Sequence, residues 1–180
     1  VLTRSATTVH VRAADASDAA AWSALHRRCL DETYRPLFGD AFDERQHAAA
    51  GRAAGYDRAL LADPGVRTLL AVGDDGALGL AAAGPAPAAW EARAGVPAPV
   101  LPLQLFQLYT LAATHGTGLG AALLEAALGP ADAYLWIMDG NPRAERFYAK
   151  HGFRPLKESF PAGGPWAGQH MHRMVRTGAA

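Results

Sequence analysis

The segment His115-Gly116-Thr117-Gly118-Leu119-Gly120 places three glycines between an apolar run, Leu103 to Leu111, and a helical pattern, Leu119 to Leu128. A strand that enters a glycine turn and leaves it as a helix directs free backbone N–H groups and the positive helix end toward one point. Such a turn suits a phosphate or another anion. The next apolar strand, Tyr134 to Met138, completes a strand–helix–strand unit whose two strands are expected to lie parallel and adjacent. Any fold for this chain has to accommodate that unit.

The remaining chain supplies antiparallel elements around it. Val9 and Val11 alternate with His10 and Arg12 as a first strand. Asp15 with Asp18 reads as a capping box opening a helix that aligns Trp22, Leu25 and Cys29 and ends at Pro36 and Gly39. A second helix is expected from Asp43 to about Leu61. Arg67 to Val72 and Ala77 to Ala83 then form a hairpin across Asp74-Asp75-Gly76. Residues 84–102, rich in proline, form a long connection of the kind that is often functional. Asn141, followed by Pro142, caps a short helix to Lys150. Phe153 to Glu158 and Gln169 to Arg176 close the sheet as an antiparallel pair. The expected fold is mixed α/β, with six or seven mostly antiparallel strands and about four helices. A single domain spans 9–176, with tails at 1–8 and 177–180.

Composition narrows the function. Seventeen basic and seventeen acidic side chains balance to zero, which gives no footing for nucleic acid or an anionic membrane. No apolar run is long enough for a membrane span, and the first residues lack a secretory apolar segment, so a cytoplasmic location is expected. Cys29 is the only cysteine and reads as a buried thiol. The histidines show no metal-ligand spacing beyond His170-x-His172, which fits strand alternation, so no metal is expected. A Gly-x-Ser-x-Gly nucleophile elbow is also missing.

The glycine turn has a rival reading. Gly116-x-Gly118-x-x-Ala121, with Asp139 downstream as a ribose-binding acid, also fits a dinucleotide fingerprint. Too little chain follows Asp139 for the further βα repeats that such a fold needs, and the chain opens with helices and a hairpin.

Two segments together resemble the GNAT N-acetyltransferase superfamily. His115-x-x-Gly118-x-Gly120 is similar to its Gln/Arg-x-x-Gly-x-Gly/Ala pyrophosphate loop. Asn141, Ala144, Phe147, Tyr148, Gly152 and Phe153 match its later Asn-x-x-Ala-x-x-Phe-Tyr-x-x-x-Gly-Phe segment. Trp22 and Glu32-Thr33-Tyr34-Arg35 are similar to its first helix and the turn after it. The resemblance implies acetyl-CoA as donor, held by His115, Gly116, Thr117, Gly118, Leu119, Gly120, Ala121 and Asn141. Backbone groups of Leu108, Tyr109 and Thr110 would pair with the pantetheine arm and polarise the acetyl carbonyl. Tyr148 would protonate the departing thiolate. The acceptor would be a small-molecule or peptide amine, entering near Tyr34, Phe38, Trp90 and Trp166, with Asp31, Glu32 or Glu91 meeting the ammonium.

One position departs from the family. Gln104 stands where many relatives carry a glutamate base, and an amide accepts no proton near neutral pH. Glu91, Asp31, Glu32, His170, His172 or a water relay could take that role. A non-catalytic acyl-CoA sensor and a homodimeric assembly both stay open.

Overall fold

The computed structural model describes residues 8–178. Most of the expected tails, 1–7 and 179–180, lies outside the described residues. Ordered elements run from β1 (His10–Ala13) to β8 (His170–Arg176).

Asp15 caps the first helical turn as the sequence predicts. Its Oδ1 accepts from Ser17 N at 2.8 Å, while Asp18 Oδ2 accepts from Asp15 N at 3.1 Å. Helix α1 (Ala19–Phe38) follows and runs through Pro36. The helix survives a residue without an N–H because its last turn is closed farther on, where Gly39, at φ 79°, donates to Arg35 O at 2.9 Å. Pro36 is therefore not a terminator. The expected second helix is two, α2 (Asp40–Ala48) and α3 (Ala50–Ala62), broken at Ala49, which is 2 % exposed. Beyond the break, α3 packs back over α1.

The hairpin forms as β2 (Arg67–Gly73) and β3 (Gly76–Pro85). The connection after it is not structureless, since a short helix, α4 (Ala89–Ala94), carries Trp90 and Glu91. Next come β4 (Leu103–Thr110), α5 (Leu119–Leu128), β5 (Ala133–Met138) and α6 (Pro142–Lys150). The expected Phe153–Glu158 strand shrinks to β6 (Arg154–Pro155), and a second short strand, β7 (Phe160–Pro161), follows it.

These strands form one eight-stranded sheet in the order β1-β2-β3-β4-β5-β8-β6, with β7 also on β8. The mixed α/β class and its mostly antiparallel sheet are as expected, while the described residues hold eight strands and six helices. Only β4 and β5 run parallel, which rules out the doubly wound sheet of the dinucleotide reading. Helix α5 packs one face through Leu119, Leu123 and Leu124 against Leu105, Leu135 and Ile137. Helices α1 and α3 cover the other through Trp22, Leu25 and Leu60 against Leu70 and Leu80. Cys29 belongs to this second core, and burial pushes its thiol up to about 12. At the α1–α2 corner Tyr34, Phe38, Phe42 and Trp166 form a third, aromatic cluster. No helix among the described residues is long and apolar enough to cross a membrane.

Candidate active site

The parallel pair is short. Strands β4 and β5 meet only at Gln104–Tyr134 and Leu105–Leu135, then diverge. On its other side β4 stays paired with β3 to Thr110, with a bulge at Phe106 where the register slips between Ala82 and Ala83. Beyond Leu105, the β5-facing edge of β4 therefore has no strand partner. The fork encloses a cavity of about 380 Å³. Leu108, Tyr109 and Thr110 line it from one strand, and Trp136 and Ile137 from the other.

The glycine turn closes the open end. Gly116 and Gly118 have φ values of 81° and 90°, a left-handed backbone that a side chain would strain. A Cβ at either would meet nothing within 4 Å, so the space beside the turn is open for a ligand. Gly120 differs, because a Cβ there would come within 3.3 Å of Phe147 and hold α5 off α6. Ala121 also lines the cavity; Thr117 and Leu119 do not. Thr117 ties the turn together by donating to Thr114 O at 2.7 Å, and Leu119 anchors α5 in the core.

Helix α6 delivers the remaining wall. Asn141 Oδ1 accepts from Ala144 N at 3.1 Å, which leaves its amide N–H groups to face the cavity it lines. Phe147 turns toward Gly120, while Tyr148 lies edge-on to Phe153 with ring centroids 5.7 Å apart. Tyr148, Tyr34 and Tyr109 all line the cavity. Burial pushes the Tyr34 hydroxyl up to about 12, and raises those of Tyr148 and Tyr109 well above the ordinary value. All three stay protonated at neutral pH and can donate.

Arg143 is a residue that sequence reasoning alone would leave on a solvated helix face. Its guanidinium lies against the His115 ring, and Nη2 donates to Thr33 Oγ1 at 3.3 Å. A cation thus lies across the rim of the cavity. Burial and this neighbour hold His115 below the usual histidine range. An arginine close behind the α6 cap is the only signal in the sequence, and helix surfaces carry many such residues.

The remaining sequence candidates fall elsewhere. Glu32 accepts from Ala112 N at 2.7 Å and from Arg28 Nε at 2.9 Å, bracing the turn that leads to the glycines. Burial opposes its ionisation, but these two partners outweigh it and keep the carboxyl low. Trp166 packs on Tyr34 at 5.0 Å and Trp90 on Trp136 at 5.5 Å, both outside the cavity lining. His172 Nδ1 meets Asp139 Oδ1 at 2.6 Å, so Asp139 is engaged away from the glycine turn. Asp31, Asp43 and His47 bring possible ligand atoms within 4.8 Å of one another at the α1–α2 corner, a grouping the sequence spacing does not suggest. Glu91, in contrast, reaches Gln104. Tyr134 Oη lies 3.0 Å from Glu91 Oε1 and 3.0 Å from Gln104 Oε1.

A buried polar network beneath the bulge also has no signature in the sequence. Asp57 Oδ1 accepts from Gln107 Nε2 at 2.9 Å and meets His26 Nδ1 at 3.0 Å; Trp22 Nε1 donates to Gln107 Oε1 at 3.0 Å. Burial would raise the Asp57 carboxyl, but hydrogen bonds from His26, Gln107 and Ser23 hold it below the usual range.

With this geometry in hand, comparison with known proteins identifies the class. The acetyltransferase (GNAT) domain family matches residues 64–155, and the chain belongs to that family. It is 41 % identical over 58 residues to a protein of Mycobacterium tuberculosis described as an uncharacterized N-acetyltransferase. That match covers 29 % of this chain and 37 % of the relative's length. Among solved structures it is similar to a Corynebacterium glutamicum protein described as histone acetyltransferase HPA2 and related acetyltransferase. There the TM-score is 0.64 at 21 % identity, over 96 % of this chain and 98 % of the other. PaiA N-acetyltransferase from Thermoplasma acidophilum, solved in complex with coenzyme A, gives 0.62 at 14 % identity over 92 % and 98 %. At such identities the structures establish a shared fold.

Proposed function

We propose that this protein transfers an acetyl group from acetyl-CoA to a primary amine of a small molecule or peptide by direct attack. The observation that carries this reading is the fork of β4 and β5 ending at a glycine turn and a helix N-terminus. The fork suits an extended arm with a diphosphate at one end and a reactive group at the other. The residues fit the donor, because Gly116 and Gly118 leave open space beside the turn and β4 keeps an unpaired backbone edge along the cavity. Acetyl-CoA would supply an activated acyl group on a good leaving thiol.

The chain's residues have separate tasks in this scheme. The amides of the turn and the α5 N-terminus hold the diphosphate, with Arg143 adding charge. Backbone groups of Leu108, Tyr109 and Thr110 hydrogen-bond the arm, and one N–H faces the acyl oxygen as negative charge develops there. Tyr148 donates its proton to the departing sulfur, for which its raised pKa keeps it in the acid form. The acceptor approaches from the α1 side, where Tyr34 lines the cavity.

Titration of the purified protein with acetyl-CoA and with NADH, followed by a thiol-release assay on a panel of primary amines, tests this. Acetyl-CoA binding with amine-dependent thiol release is expected. Binding without release from any amine would favour an acyl-CoA sensor, and the absence of binding would overturn both readings.

A further inference from the structure

At the crotch of the fork, three acceptor oxygens share two hydrogens. Tyr134 Oη lies 3.0 and 3.1 Å from the two Glu91 oxygens and 3.0 Å from Gln104 Oε1. Ala88 N donates to Gln104 Oε1 at 2.9 Å and to Glu91 Oε1 at 3.3 Å. Glu91 and Gln104 are each 2 % exposed, and Tyr134 is fully buried. No ion pair among the described residues includes Glu91. A buried carboxylate normally gathers donors or a cation to offset its lost hydration. Here the cluster is short of hydrogen.

Position gives that shortage a use. Gln104 and Tyr134 are the first pair of the parallel ladder, and the strands diverge after the second. Leu105 and Trp136, close to them in sequence, line the cavity. Trp90, adjacent to Glu91, packs on Trp136 with centroids 5.5 Å apart. The carboxylate therefore sits behind the inner end of the fork, on the sheet face opposite α5. An acyl group held along the fork and an amine arriving from the α1 side would meet there.

We infer that Glu91, delivered by α4 to the side of Gln104, is the carboxylate that takes the proton of the acceptor ammonium. This rests on the acetyltransferase reading above. The ammonium N–H bond breaks and its electron pair stays on nitrogen. The proton crosses a bridging water to a Glu91 oxygen, where it supplies the hydrogen that the cluster lacks. As the C–N bond forms and the C–S bond breaks, the second nitrogen proton passes to Tyr148, replacing the one given to sulfur. The Glu91 carboxyl then returns its proton to solvent. Tyr134 of β5 and Tyr56 of α3, with Asp57 beyond it, are the titratable neighbours of Glu91, while Arg173 of β8 acts on Tyr134 and is engaged by Glu158 at 3.0 Å. Burial followed by the Glu91 charge raises the Tyr134 hydroxyl, so it stays a donor to the carboxylate rather than competing for the proton.

The test is the pH dependence of kcat/KM for amine-dependent thiol release, with benzylamine and tryptamine as probes. Glu91→Gln is expected to lower kcat/KM near neutral pH by about a hundredfold or more, within the usual reach of general base catalysis. The deficit should shrink as pH rises and solution supplies free amine, while acetyl-CoA affinity stays unchanged. In the double variant E91Q/Q104E the carboxylate returns from the β4 side of the same Tyr134 hydroxyl, and at least about a tenfold recovery is expected. A folded, acetyl-CoA-binding Glu91→Gln protein with the wild-type rate and profile would overturn the role of Glu91 alone. A uniform loss at all pH values that Q104E does not relieve would overturn it too. Wild-type protein that releases no thiol with any amine overturns the parent reading and this one together.

Discussion

Tyr148 and His115 show how burial sets what a single side chain can do. Tyr148→Phe removes a hydroxyl and keeps the ring that packs on Phe153. If that hydroxyl protonates sulfur, turnover falls by roughly ten- to a thousandfold while acetyl-CoA affinity holds. Rapid-mix thiol release beside equilibrium titration separates the two quantities. Equal losses in both would make Tyr148 a binding residue. His115 carries a different expectation. Its folded pKa lies below the ordinary 6.5, so the ring is neutral at pH 7 and gains charge only as pH falls through that lowered value. Acetyl-CoA affinity should therefore be flat from about pH 7 to 8.5 and strengthen only in mild acid, where the extra positive charge meets phosphate. Calorimetric titration across that range checks it, and affinity falling steadily from pH 7 upward would refute it.

Among the elements, α1, α3 and β4 are joined by one carboxylate. From α3, Asp57 meets His26 and Ser23 of α1 and Gln107 of β4 at once, and is 1 % exposed. Asp57→Ala would strand those partners in the interior and should cost about 3 kcal/mol, measurable by urea unfolding. Because the folded pKa of Asp57 is lowered, its contribution is complete above the ordinary value near 3.8 and is lost as pH falls through the folded value. An Asp57→Ala protein should lose less stability than wild type over that acid window. Elements with their own chemical signature are legible in the sequence. The glycine turn, the Asp15 capping box and the Asn141-Pro142 start of α6 each rest on local backbone demands. The break at Ala49 is not, because it lies in a run of alanines and only the folded packing that buries Ala49 marks it out. Helix α4 is hidden for a related reason, since prolines flank a stretch too short for periodicity to register. The Glu91–Gln104–Tyr134 cluster cannot be read either. Its members come from three elements, and only the sheet order brings them together.

At the scale of the whole molecule, the donor should act as a clamp. The cavity is walled by β4, β5, the glycine turn and α6, and β4 meets β5 at only two residue pairs. A ligand spanning them binds only the folded chain. At a hundred times its Kd, acetyl-CoA should add about 2.7 kcal/mol, which raises Tm by roughly 5–10 °C for a chain of this size. Scanning fluorimetry with acetyl-CoA, and with NADH as control, reads this directly.

The far border of the sheet carries a consequence of another kind. Leu156 N and Ala162 N both point inward, to Arg173 O at 2.8 Å and Gln169 O at 2.9 Å. By strand alternation, the outward-facing residues of β6 and β7 are then Pro155 and Pro161. Neither has an N–H to offer a neighbouring strand. Stacking of further chains along this border, the first step of ribbon-like aggregation, is denied its donors at both places where it could begin.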